Sequence, residues 1–546
     1  MRKLWLVSFA AVLLLAGATP KAALYIHQAT GARVPQLFLT SDQCMACHDQ
    51  LTTRTGDDIS IGTDWRGSIM ANSSRDPYWH AAVRREIMDH PAASDEIQDE
   101  CTRCHMPMSN VVERALGGRG RAFDHLPIND ADDPIDDLAA DGVSCTLCHQ
   151  IQAENLGRPE SFSGGFVIDT VLRNVEHRRF AFGPFVVDTG RIAIMRSATH
   201  FRPSEGRHVQ TSEFCGTCHV LYTNIRNRSD RVIGKFPEQT PNLEWEHSAY
   251  RGRQTCQQCH MPAVDDSVAI TSVMGQPRPE LSQHTFIGGN FFMLRMLAKY
   301  RQDLGVLALP EELESIRHLT EQFLQNNTAR IRVASPGVRD GRIEADVTVE
   351  NLTGHKFPTA YPSRRAWLHV TVRDQRGTIV FESGRLRGNG SIVGNDNDVD
   401  PARYEPHYDR IESPDQVQIY EPIMIDTAGR VTTGLLSAIR YTKDNRVLPD
   451  GFDKATAIPD IAVQGAAARD ANFVGGRDRV RYRIPVRAAD GPFVVEAKLW
   501  YQPIGFRWAH NLEPYDAFEP QRFLRWYEAM SDVTGIVITQ MSLTVR

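Results

Sequence analysis

Cys256-Gln257-Gln258-Cys259-His260 is the last of five stretches that decide the class of this chain. The others are Cys44-Met45-Ala46-Cys47-His48, Cys101-Thr102-Arg103-Cys104-His105, Cys145-Thr146-Leu147-Cys148-His149 and Cys215-Gly216-Thr217-Cys218-His219. Together they use all ten cysteines. Two thiols at this spacing reach both vinyl groups of one porphyrin, and the next residue sets an imidazole beneath the iron. Disulfides, zinc sites and thiol exchange also use paired cysteines, but none requires His after the second Cys every time. With 19 His in 546 residues, five chance coincidences have odds on the order of one in ten million, and haem attachment is the reading that stands. The chain is therefore expected to bind five haem c groups covalently, with His48, His105, His149, His219 and His260 as proximal iron ligands.

Outward from the motifs, the N-terminus agrees. Arg2 and Lys3 precede an apolar run over residues 4–15 and then Ala16-Gly17-Ala18, the pattern of a secretion signal at residues 1–18. The run is short for a membrane span. No Cys follows it, which argues against a lipid anchor, while residues 22–26 leave an uncleaved anchor open. Export across the cytoplasmic membrane, to the periplasm or the cell surface, suits covalent haem attachment. A net charge of −6 gives no reason to expect nucleic acid. Of 61 basic residues, 53 are Arg and only eight Lys. Arg pairs bidentately with carboxylates such as haem propionates; a genomic codon bias explains the excess equally well.

The attachment histidines are 57, 44, 70 and 41 residues apart, so the motifs form no tandem array. About 43 residues per cofactor cannot enclose an independent core, so the haems themselves must be the core of residues 19–300. One helix is legible there, capped by Asp76, started by Pro77 and stopped before Pro91, with Trp79, Val83, Ile87 and His90 near one face. Residues 301–325 read as a helical connector, with a helix at 310–325 whose inner side carries Leu313, Ile316, Leu319, Thr320 and Phe323. From 326 to 546 the pattern changes to strands at 342–350, 367–372, 378–381 and 493–501. A short helix at 519–530 and a final strand at 535–545 complete this part. The fold class expected is mixed: a mainly α and loop multihaem cytochrome domain, then an all-β, sandwich-like domain with a loop-rich insertion over about residues 387–478.

Several strings in the haem half resemble the multihaem c-type cytochromes related to the tetrahaem cytochrome of nitrifying bacteria, which share a haem arrangement with hydroxylamine-oxidising enzymes. They are Ser41-Asp42-Gln43, Asp64-Trp65-Arg66-Gly67-Ser68, Asp141-Gly142-Val143, and Cys-His-Met-Pro at residues 104–107 and 259–262. Thr353-Gly354-His355-Lys356-Phe357-Pro358-Thr359 resembles a loop of larger members. The likeness covers roughly residues 40–370; the rest is a β-rich extension. Where such cytochromes often carry Trp-x-x-Ser-x-His, this chain has Met70, and no ligand carries over there.

The sixth coordination position decides whether an iron carries electrons or does chemistry. Fourteen other His are available. The distal candidates are His90, His125, His208, His284 and His355, which the resemblance favours, His125 less than the rest. His80, His177, His200 and His247 stand in reserve, and Met70 reads as packing rather than a thioether ligand. His355 is expected on a turn made by Thr353-Gly354 and stiffened by Pro358, a ligand offered across the domain boundary. Three functional readings follow. The first is an electron carrier with closed irons and redox-protein partners. The second is an oxidoreductase of a small nitrogen or sulfur compound at one open haem. The third is a subunit that stacks with its own kind or docks on an outer-membrane complex. The lysine-ligated haem of pentahaem nitrite reductases has no counterpart, since no Cys-x-x-Cys-Lys occurs. Calcium is a further cofactor candidate at Asp396-Asn397-Asp398-Val399-Asp400 and, less so, at residues 129–137.

Overall fold

In the computed structural model, residues 24–26, 33–128, 133–171 and 179–546 are described; the leader at residues 1–18 and His177 lie outside them. Asp76 opens the first long helix as its sequence predicts: its carboxylate accepts from Tyr78 N at 2.8 Å and Trp79 N at 3.1 Å. Pro77, which has no N–H to leave unbonded, takes the first position. This helix, α1, runs Pro77–Asp89 and buries Trp79 and Val83. Helix α2, Ser94–His105, ends on the second motif. The helices Ser41–His48, Ser212–His219 and Cys256–His260 likewise end on a motif His, and Cys145–Cys148 stops one residue before its own. The cause is helical spacing. Positions i, i+3 and i+4 share a face, so one turn presents both thiols and the imidazole to the same side.

The hairpin β1 (Leu221–Arg226) and β2 (Val232–Gln239) lies against α2, where Arg226 Nη2 meets Glu96 at 2.6 Å and Asn224 bonds Glu100. A short helix, α3 (Pro241–Glu246), follows. Beyond the last motif come α4 (Phe291–Lys299) and α5 (Pro310–Asn327), then the strands β3 (Ala329–Arg339), β4 (Arg342–Asn351), β5 (Arg365–Arg373), β6 (Ile379–Ser383), β7 (Arg410–Ile411), β8 (Ile419–Tyr420), β9 (Arg477–Pro485) and β10 (Phe493–Gln502). Helix α6 (Phe518–Glu528) and β11 (Ile536–Val545) close the chain.

One sheet has the order β7-β9-β4-β3 and the other β6-β5-β10-β11, with β8 also on β5. Their registers set Val347 opposite Val480 and Leu368 opposite Leu499. Strand β4 alternates as a half-covered strand should, burying Ile343, Ala345, Val347 and Val349. These pack with Leu368, Val370 and Leu499 of the second sheet in one core, the arrangement of a sandwich. Strand β5 breaks the alternation because both its faces are covered: Trp367 points outward into a cluster with Ile392, Val417 and Ile419.

Two features differ from the sequence reading. Phe291, Leu294, Leu313 and Ile316 join the sandwich core, so residues 291–327 pack with the β half although the sequence divides near 300. In α5 the inner position belongs to Leu324, while the Phe323 ring lies 5.9 Å from that of His260. The chain between β6 and β9 forms only short elements, yet it is the seam of the molecule. Its Leu448 and Phe452 pack with Val220 and Leu243, its Leu435 with Phe236, and its Leu436 with Trp79 and Val83. Among the described residues no helix is long and apolar enough to cross a membrane.

Candidate haem-binding site

The five motif helices converge. Thiols from different motifs meet: Cys44 with Cys145, Cys104 with Cys218, and Cys215 with Cys256. Cys148 lies near enough to Cys215 and Cys218 to influence both electrostatically. The contacts therefore run from motif 1 to motif 3 to motif 4, and from motif 4 to motifs 2 and 5.

Four of the five motif imidazoles are held the same way. Nδ1 of His48 donates to Ile270 O at 2.6 Å, that of His105 to Ser73 O at 2.9 Å, and that of His149 to Phe182 O at 2.6 Å; His260 does so to Ile287 O. A proton fixed on Nδ1 leaves the Nε2 lone pair for a metal, the usual outer-shell device of a ligating histidine. His219 is the exception, an exposed ring with no hydrogen bond among the described residues.

Two further imidazoles face motif rings. His284 lies 6.4 Å from His149, centroid to centroid, with 24° between planes, and His355 lies 6.3 Å from His260 with 15°. The separations are too long for stacking. Two imidazoles that bind one iron through nitrogens at about 2.0 Å have centroids about 6.3 Å apart, so each pair fits a haem iron between its rings. The tautomers agree, because Nδ1 of His284 donates to Ser282 O at 3.0 Å and that of His355 to Lys356 O at 2.9 Å. Desolvation pulls both down to about 4, with the neighbouring His149 adding to it at His284 and His260 and Arg364 at His355, so both rings stay neutral.

The His355 turn is built for fixity. Asn351 Oδ1 accepts from Thr353 N at 2.8 Å, and Asn351 Nδ2 donates to His355 O at 2.8 Å. A Cβ at Gly354 would lie 3.1 Å from Trp245 and 3.3 Å from Tyr250, so the turn sits directly on the haem half. Lys356 is fully buried; its N donates to Glu244 Oε2 of α3 at 3.1 Å and its Nζ to Asp444 Oδ2 at 2.6 Å. Arg446 completes the network, 2.8 Å from Asp444 and 3.0 Å from Glu244. The sequence reading missed these four charges. Their one signal was the scarcity of Lys, since Lys356 and Lys443 are both buried.

Other sequence candidates stand differently. His208 donates Nε2 to Ile151 O at 2.8 Å, which leaves Nδ1. His90 is turned into protein contacts, Nδ1 to Asp230 at 2.8 Å and Nε2 to Ser437 at 3.2 Å, and has no nitrogen to offer. His125 lies between Asp136, 2.6 Å from Nδ1, and Glu113, 3.5 Å from Nε2. Burial opposes its charge, but the two carboxylates outweigh that and raise its pKa, which suits an imidazolium rather than a ligand. Both positions lie on apolar or motif-adjacent segments, and only the tertiary partners separate them from His284 and His355. Of the reserves, His80 is spent on Ser74 O and Arg522, while His247 bonds Leu243 O through Nδ1 and keeps Nε2.

The acids of the calcium candidates have protein partners. Asp398 is held by both terminal nitrogens of Arg365, at 2.7 and 3.0 Å, and accepts from Ile392 N, while Asp396 pairs with Arg403. Asp396 and Asp398 are thus neutralised by Arg, while Asp400 accepts from Ala402 N at 2.9 Å. Of residues 129–137, those at 129–132 lie outside the described residues, Asp133 caps a helix and Asp136 holds His125. A buried His407, Asp470 and Asp478 cluster has metal-like spacing, but the tautomer forbids it. Gln418 and Asn445 donate to His407 Nδ1 at 2.8 and 3.2 Å, and their amides are fixed because their oxygens accept from Tyr408 N and Glu421 N. Nδ1 therefore holds the lone pair, and Nε2 carries the proton that faces Asp470 at 3.0 Å.

No protein-family model and no curated protein matches the chain. Among solved structures, the crystal structure of a penta-haem cytochrome c552 from Thermochromatium tepidum is similar in fold. Its TM-score is 0.54 at 16% identity, over 93% of this chain and 99% of that one. The likeness takes in the haem half and the sandwich together.

Proposed function

We propose that this chain is an exported pentahaem c-type cytochrome that carries electrons, with the haem irons of motifs 3 and 5 closed by His284 and His355. The observation that carries the reading is the pair of facing imidazoles, each with its Nδ1 tied to a carbonyl. Haem supplies the one-electron chemistry when bound. The residues do the rest: the motif helices gather the thiols into one contiguous cluster, the Nδ1 bonds orient the rings, and the buried charge network holds His355 still. The converging thiols support close haem edges and hence short transfer steps. Periplasmic or cell-surface placement rests on the leader sequence, and kinship with the nitrifier cytochromes rests on the strings quoted above. The fit of the cysteines supports haem c.

The test is electron paramagnetic resonance with optical potentiometry on the holoprotein and its His284→Ala and His355→Ala variants. Each variant should keep five haems and convert one from low to high spin. Unchanged spectra in both would remove the ligand assignment.

A second reading, turnover of a small nitrogen or sulfur compound at an open iron, is favoured by one observation. Around motif 2, His80 and His90 are engaged elsewhere, His125 lies between two carboxylates, and the charged groups near Cys101 are Glu100, Glu238 and Glu86. One stoichiometric high-spin haem in the wild-type protein that binds and turns over nitrite or hydroxylamine would establish it; full low-spin content would exclude it.

A further inference from the structure

Arg364 and Arg365 are neighbours with opposite fates. Arg365 makes four side-chain hydrogen bonds, to Asp398, Gln502 and Gly390. Among the described residues the Arg364 side chain makes a single hydrogen bond, Nη1 to Thr359 O at 3.1 Å, and no ion pair. A guanidinium carries five donors and keeps its charge, so this half-buried cation has most of its bonding capacity unspent.

Its position says what it awaits. Nη1 lies 3.7 Å from where a Cβ of Gly289 would stand, beside the Tyr501 hydroxyl and two residues from the carbonyl that holds His260. Its charge is felt by His260 and by His355, the two rings on opposite faces of the motif 5 site, and by His219 of motif 4. A group close to both axial rings of one haem sits at that haem's rim. Cys259, on the thioether side, has Cys256 and Tyr250 as neighbours. In haem c the thioethers and the propionates occupy opposite edges. An Arg beside Gly289, close to the carbonyl that holds His260, suits the carboxylate edge of that haem.

Given that His260 and His355 hold one haem, we propose that Arg364 binds a propionate of that haem and raises its reduction potential. A guanidinium matches a carboxylate bidentately, and a fixed cation beside the porphyrin disfavours the extra positive charge of the ferric state. The β half then supplies both the sixth ligand and the charge that tunes it, from residues only nine apart.

The experiment is a redox titration of the holoprotein, followed by optical and paramagnetic resonance spectra, for wild type, Arg364→Gln, Arg364→Lys and His355→Ala. Arg364→Gln should keep five haems and the full low-spin signal while one midpoint falls by about 59 mV or more, a tenfold shift in a one-electron equilibrium. Arg364→Lys, which keeps the charge, should stay near wild type. Five unchanged midpoints in Arg364→Gln would overturn the proposal, as would an Arg364→Lys protein that matches Arg364→Gln. Should Arg364→Gln not accumulate, Arg364→Met, also uncharged, takes its place: one lowered midpoint upholds the charge role, and five unchanged midpoints refute it. Failure of the ligand reading shows separately, as a His355→Ala protein with wild-type spin state and potentials.

Discussion

Replacing Lys356 by Met tests whether the two halves are locked through the buried charge network. Met keeps most of the apolar stem, so the perturbation is the loss of one cation at a fully buried position. Burial penalises the Asp444 carboxylate, but Arg446 and Lys356 outweigh that and hold its pKa well below the usual range. Breaking a buried pair typically costs about 3–5 kcal/mol, because one charge is left uncompensated. Here Arg446 remains on Asp444 through two nitrogens, both at 2.8 Å, so the low end, about 3 kcal/mol, is expected. Removing both charges in Lys356→Met/Asp444→Asn leaves the Arg446–Glu244 pair intact and should recover part of the loss, to about 1–2 kcal/mol. Urea unfolding followed by far-ultraviolet circular dichroism reads this as a shift in midpoint at constant slope. Because Lys356 follows His355, the variant should also lose low-spin signal at a urea concentration below its global midpoint. A Lys356→Met protein within about 1 kcal/mol of wild type would refute the reasoning, since no buried uncompensated charge could then exist.

Intact-mass measurement should find five haems on the processed polypeptide; four or fewer after full maturation would contradict the motif assignment. His90→Ala should leave the low-spin content unchanged, because both its nitrogens are bonded, and a new high-spin signal would reverse that. Glu238 is pushed up to about 8, by burial first and then by Glu86 and Cys104. Its folded pKa exceeds the ordinary 4.5, so the native state keeps a proton that the unfolded chain releases. Stability should then fall as pH rises between those values, by up to about 1.4 kcal/mol per pH unit. Glu238→Gln should flatten that fall, and parallel pH profiles for variant and wild type would show the group to be unperturbed.

What the chain determined locally it announced locally. Five Cys-x-x-Cys-His strings name a covalent cofactor because the chemistry needs those atoms within one helical turn, and the turn itself fixes their common face. Asp76 and Pro77 announce α1 in the same way, and the alternation of residues 342–350 announces β4, since caps and strand faces are set by near neighbours. The distal side is different. His90 ends an apolar helix and His355 sits in a polar turn, so one-dimensional context favoured both alike. Asp230 and Ser437 consume the first, whereas the backbone around Lys356 frees the Nε2 of the second and aims it at His260. Those partners lie up to 347 residues away in sequence, and a nitrogen's availability depends on them alone. The role of the insertion was likewise invisible, because its short strands carry little periodicity and its apolar residues find their partners only across the seam. Arg364 and Arg365 make the point at its smallest scale: adjacent and identical in the sequence, they are told apart by Asp398, Gln502 and Gly390, which the fold delivers to one and withholds from the other.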